Sequence, residues 1–218
     1  GKIGFVGGMN IPLIRKFEAG YRAGARHVKE KIEIISVYAG NTGDAFKNPT
    51  KGKELAIAQL DQGVDVIFHA SGSTGLGVFE ACKDRKKYAI GVDSDQYDEK
   101  MPDIILTSMV KHVEVAVFDA IKAEVDGKFT GGIRELGLAD NGVGYIYDDH
   151  NKHLIPAEVH DKVEALRKEI IAGKIKPPAT LEEWGSLGEY HLDETWRGHI
   201  PREVARARKL FEHFTTVS

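Results

Sequence analysis

Ile3-Gly4-Phe5-Val6-Gly7, the run from Pro12 to Val28, and Ile32–Tyr38 together decide the fold. The outer two are short, apolar and β-rich, the composition of buried strands. Between them Ile14, Phe17, Tyr21 and Ala25 recur at helical spacing, while Arg15, Lys16, Arg22 and Arg26 turn to other faces. A strand, an amphipathic helix and a second strand in so short a length make one βαβ unit, which joins parallel strands.

The alternation continues outward. Val64–Ala70, Tyr88–Val92 and Ile104–Ser108 read as strands, and Ile133–Leu138 and Gly142–Tyr147 as two further short ones. Helices are predicted over Lys51–Gln62, with Gly63 as its stop, from Gly75 to about Arg85, over Val113–Val125, and over Pro156–Ala172 with proline in its first turn. Strands alternating with helices in this way predict an α/β fold, a doubly wound and mostly parallel sheet. Ligands of such sheets sit beyond the carboxyl ends of the strands. The segments that follow the strands are Gly7–Asn10, Gly40–Pro49, Ser71–Gly75, Asp93–Gln96 and Ser108–Lys111, rich in small and polar residues.

Composition narrows the function. The 218 residues are 42% hydrophobic, and 30 Lys+Arg against 33 Asp+Glu leave a net charge of -3. A dedicated nucleic-acid binder shows a basic excess, so that class is set aside. A single cysteine, Cys82, excludes an internal disulfide and reads as a buried structural thiol. No apolar run is long enough to span a membrane. A chain that opens on Gly1 and enters a core strand at once is expected to carry a processed or truncated N-terminus.

Each motif has a plain structural reading beside its chemical one. Gly7-Gly8 lacks the full dinucleotide fingerprint, with Met9, Ile11 and Pro12 where a phosphate would lie, and reads as a strand-to-helix turn. Gly72-Ser73-Thr74-Gly75 opens a helix; its hydroxyls and free N–H groups suit either capping or a polar ligand. Ser73 misses the nucleophile-elbow spacing. Asp93 closes a strand, where a carboxylate either accepts bonds from vicinal hydroxyls or caps a turn. Lys111, placed at the start of a helix, is a surface lysine unless it lies near Asp93. His150 and His153 read as loop residues rather than metal ligands. No Ser-His-Asp set and no paired carboxylates are assembled.

Gly4-Phe5-Val6-Gly7-Gly8-Met9 with Ile11–Gly20, Asp44-Ala45-Phe46 with Lys51–Glu54, Gly72–Gly77, Ala89–Gln96 and Leu106–Lys111 occur in an order that resembles one family. These are the basic membrane protein or PnrA-like substrate-binding lipoproteins, purine-nucleoside receptors of ABC importers. The similarity runs from Gly1 to about Pro177. It implies a type I periplasmic-binding-protein fold, two doubly wound lobes closing on a nucleoside, with no catalysis, no cofactor and no metal. By that resemblance Asp93 holds ribose hydroxyls, Lys111 lies near the base or ribose, and Gly72, Ser73 and Thr74 line the cleft. Met9, Asn41 and Phe46 lie around the base, with Phe46 stacking on it. The implied partners are a small-molecule ligand and the ABC permease, and the implied location is the cell envelope.

Within that resemblance the chain starts where a second lobe starts. Residues 1–177 are expected to form that lobe, with 104–127 crossing toward a first lobe or a second copy. The face made by Val113, Val117, Ala120 and Ile121 is then expected to lack its usual partner. Residues 178–218 form a tail outside the resemblance, in which Val204, Ala207, Leu210, Phe211 and Phe214 predict a C-terminal amphipathic helix. The alternatives are a cytoplasmic ligand-sensing regulator on the same fold, or a nucleoside-processing enzyme built on Asp93, Asp95 and Asp98.

Overall fold

The computed structural model describes residues 1–189, with side chains to Gly185. Strand β1 (Lys2–Met9) lies at the centre of one side of the sheet, paired in parallel with β2 (Glu33–Gly40) and β3 (Val64–Ala70). Beyond β3 follow β4 (Tyr88–Asp93) and β5 (Ile105–Lys111), also parallel, and then the short antiparallel β6 (Val143–Tyr145). The strand order β2-β1-β3-β4-β5-β6 reverses direction between β1 and β3. In an open α/β sheet that reversal leaves a crevice at the strands' carboxyl ends. The fold class predicted from periodicity is the one observed.

Helices cover both faces because each face carries its own apolar set. Helix α1 (Pro12–Val28) lays Ile14, Phe17 and Tyr21 on Phe5, Phe68, Ala70 and Val92. The aromatic rings there meet edge-on or tilted: Phe5 lies 5.7 Å from Phe68 and 6.2 Å from Tyr38, and Tyr21 lies 5.3 Å from Phe68. On the other face α2 (Pro49–Asp61) and α3 (Gly75–Arg85) bury Ala56, Leu60, Val78, Phe79, Ala81 and Cys82 against Val6, Val64, Ile67 and Ala89. The Cys82 thiol donates to the Tyr88 carbonyl at 3.3 Å, and burial pushes its pKa up to about 12, which makes it a poor nucleophile. Beneath α1, Glu18 is buried between Arg22 (2.7 Å) and the Tyr38 hydroxyl, and Arg22 also donates to Ser36 at 2.8 Å. This acid–base–phenol set ties helix to strand, as a buried charge requires.

Several local expectations are corrected. Gly7-Gly8 lies inside β1 rather than in a turn, because the rings of Tyr38 and Phe46 occupy the places where β-carbons would stand. Helix α2 starts two residues before Lys51, since the Asn48 side chain accepts from Lys51 N–H at 2.9 Å and Pro49 supplies the first turn. Strand β5 runs on to Lys111, so that lysine ends a strand instead of beginning a helix. Pro156 precedes α5 (Ala157–Ile171) as its cap. Residues 133–138 form no strand, and Ile133 is 98% exposed.

Helix α4 (Val113–Val125) differs from α1–α3. Val113, Val117, Phe118, Ile121 and Val125 are each more than half exposed. The chain divides after Leu181 into two units, and of the second only residues 182–189, within α6 (Leu181–Glu189), are described. The amphipathic pattern over 201–214 lies outside the described residues.

Candidate functional site

Because β1–β5 are parallel, Met9, Gly40, Ala70, Asp93 and Lys111 all finish on one edge of the sheet. Strands lie about 4.8 Å apart, so Met9 and Asp93 are separated by two spacings, on the order of 10 Å. A small organic molecule spans that distance.

The rim has a rigid half. Past β2, a 3-10 turn over Gly43–Phe46 folds back so that the Phe46 ring lies on Gly8. Past β3, a second such turn over Gly72–Thr74 leads into α3. The two are clasped: Thr74 donates to the Ala45 carbonyl at 2.7 Å and accepts Asn48 N–H at 2.9 Å, while Ser73 donates to the Phe46 carbonyl at 3.0 Å. Thr74 is fully buried, and its hydroxyl braces the turn. Ser73 remains exposed, and Gly72, with φ 58°, occupies the left-handed region and lets the Phe46 carbonyl approach closely. Asn41 follows β2 directly and is exposed; Met9 and Phe46 are half-buried.

The charged half stands on β4 and β5. Asp93 is 58% exposed and pairs with the Lys111 ammonium at 2.8 Å, itself 38% exposed. That ammonium also lies 4.7 Å above the Phe17 ring, a cation–π contact reaching across from α1. Asp93 has φ 69°, and Ser94 N–H closes onto the Val92 carbonyl at 2.9 Å, so the backbone makes a γ-turn centred on the aspartate. The positive-φ form of this turn is rare and strained. The carboxylate thus stands at the crevice on a turn whose backbone is strained, with an ammonium as its charge partner.

Beneath Asp93 lies a layer that sequence inspection missed. His69, fully buried on β3, bonds through Nε2 to Gln96 Oε1 at 3.0 Å and through Nδ1 to Ser71 Oγ at 3.3 Å. Gln96 Oε1 also accepts Val92 N–H at 2.7 Å, and Gln96 N–H donates to Ser108 Oγ at 3.0 Å. Burial lowers the His69 pKa to about 4, so the ring is neutral near pH 7. His69 hides in an apolar strand run, and only its partner 27 residues away gives it a role.

Other candidates disperse. Asp95 and Asp98 each accept a backbone N–H two residues on, at 3.0 and 2.8 Å, and so close turns rather than join Asp93 in a cluster. His150 stacks on Tyr97 at 4.2 Å and His153 bonds Asp103 at 2.9 Å, so the two histidines serve different partners. Among the described residues no set of three or more His, Cys, Asp or Glu side chains converges on a metal-sized point.

Residues 1–180 match the family model described as ABC transporter substrate-binding protein PnrA-like. A CD4+ T-cell-stimulating antigen of Listeria monocytogenes is 39% identical over 193 residues, covering 81% of this chain and 52% of the relative. The ABC transporter nucleoside-binding protein BmpA of Lactococcus lactis is 37% identical over 195 residues, covering 82% and 53%. The chain thus spans about half the length of these relatives. Among solved structures, an ABC transporter solute-binding protein of Aeropyrum pernix superposes with a TM-score of 0.71 at 30% identity, covering 86% of this chain and 60% of that one. A transcriptional activator of the comK gene from Bacillus halodurans gives 0.68 at 26% identity, covering 81% and 58%.

Proposed function

The chain belongs to the PnrA-like family of ABC transporter substrate-binding proteins, and on that premise we propose that it forms part of a receptor that binds a purine nucleoside without transforming it. The observation that carries the reading is the Asp93–Lys111 pair on its γ-turn at the carboxyl ends of β4 and β5. A carboxylate presented there can accept two bonds from the vicinal hydroxyls of a ribose, and Lys111 can turn from Asp93 to a ligand heteroatom. The half-buried Met9 and Phe46 supply an apolar wall for the base, with Asn41, Gly72 and Ser73 along its edge. A few polar groups fixing orientation within an apolar slot is the general build of a small-molecule site.

In this reading the partner that receives the ligand is an ABC permease, and the receptor works at the cell envelope. The exposed Val113, Val117 and Ile121 on α4 are where the remaining part of a two-lobed receptor, or a second copy, packs. Calorimetric titration of the full-length protein with inosine, adenosine and guanosine tests the proposal. One site per receptor and recovery of unaltered nucleoside are expected. If none of the three binds, or if free base accumulates, the reading fails.

The likeness to the comK activator favours a second reading, a ligand-sensing regulator on the same fold. A helix-turn-helix encoded in the same open reading frame supports it; a lipid-attachment cysteine supports the transport receptor.

A further inference from the structure

We propose that Gln96 and His69 are positioning residues for Asp93: together they hold the γ-turn that presents its carboxylate, and so set how strongly the site favours a ligand with ribose hydroxyls. The proposal rests on the reading of Asp93 given above.

The hydrogen-bond roles follow from one fixed donor. Val92 N–H can only donate, so the Gln96 atom 2.7 Å away is the carbonyl oxygen. His69 Nε2, 3.0 Å from the same oxygen, must then carry its proton, which leaves Nδ1 to accept from the Ser71 hydroxyl. One amide oxygen therefore grips two elements at once, the strand end just before Asp93 and the core of β3. The Gln96 backbone N–H grips a third, the Ser108 hydroxyl on β5 at 3.0 Å. The loop from Asp93 to Gln96 is tied at its far end to the strands on either side of it.

Packing fixes this arrangement. A side chain at Gly91 would collide with both Ser108 Oγ and the Gln96 amide, so the glycine is what lets Gln96 fold back under its own turn. The His69 ring meets Phe79 edge-on at 5.0 Å and lies against Gly75 at the start of α3, which leaves it no room to rotate. A positive-φ aspartate persists only where its surroundings over-determine it. Here the surroundings are Val92 N–H and Gln96, held in turn by His69 and Ser108. Without the Gln96 amide, two buried donors lose their acceptor and the turn loses its brace.

The full-length protein titrated with inosine and with 2′,3′-dideoxyinosine, which lacks the two hydroxyls, gives the test. Gln96→Ala is expected to weaken inosine binding about tenfold or more and to leave dideoxyinosine binding within about twofold, the same pattern as Asp93→Ala. Ser108→Ala, a smaller change that leaves the sheet intact, is expected to give the same selective loss at about threefold, and decides the matter should Gln96→Ala fail to fold. Equal losses for both ligands, or no loss for inosine while Asp93→Ala still shows one, overturn the positioning role. If Asp93→Ala itself leaves inosine binding unchanged, the ribose-site reading falls instead.

Discussion

Helices α1 and α4 are both amphipathic and both follow a parallel strand, yet one is a core element and the other is not. Helix α1 buries Ile14 and Ala19 and even an acid, Glu18, against β1 and β3. Helix α4 leaves Val113, Val117, Phe118, Ile121 and Val125 more than half exposed, and Val159, Val163 and Ile171 of α5 are exposed as well. An apolar stripe states that a helix needs a partner; it does not say which segment provides it. The strands β1 to β4 and helices α1 to α3 find their partners within residues 1–111, whereas among the described residues α4 carries apolar surface with little to meet it.

The sharpest way to break this contrast is to truncate one apolar side chain on each side. Phe5→Ala removes a fully buried ring from the aromatic cluster and is expected to cost about 3–5 kcal/mol in urea unfolding of the 218-residue chain. Next comes a proton. His69 titrates near 6.5 when unfolded and near 4 when folded, so below pH 6.5 the unfolded state holds more protons. Stability should be flat in this group above pH 6.5 and fall between there and about 4, by on the order of 3 kcal/mol, with a shallower fall in His69→Gln. At the rim, Asp93→Ala is expected to weaken nucleoside binding by roughly 1.5–3 kcal/mol per lost bond, read by calorimetry, with little change in unfolding. The smallest effect belongs to α4: Ile121→Ser in the 218-residue chain should shift stability by no more than about 0.5 kcal/mol. A loss above about 2 kcal/mol would mean that α4 is buried after all, and the contrast would collapse.

The same division explains what could be read from sequence. Helix α1 falls on Pro12–Val28 as its spacing predicts, because proline sets its start and its apolar face has a sheet to cover. The Ile133–Leu138 run has strand composition and forms no strand, since a strand also needs a partner and the β5 edge is taken by Val143–Tyr145 instead. Asp93 and Lys111 are legible as strand-end residues, while the 2.8 Å pair between them depends on β4 and β5 lying side by side. Thr74 reads equally well as cap or contact; only its bonds to Ala45 and Asn48, 29 and 26 residues away, settle that it braces the turn. Gln96 is legible only as the end of the polar segment after β4, and His69 carries no local signal; their bond joins residues 27 apart.

The pair at 2.8 Å also acts as a placeholder. A ligand that draws the ammonium away from the carboxylate replaces that pair, so measured affinity is then an exchange energy rather than a simple gain. Half-exposed ion pairs are worth only about 0–1 kcal/mol, which makes the lysine an easily evicted occupant. Added salt screens that occupant but has little to screen on an uncharged solute. For such a ligand, binding should hold steady or tighten slightly as ionic strength rises, the reverse of the behaviour of a site that captures an ion.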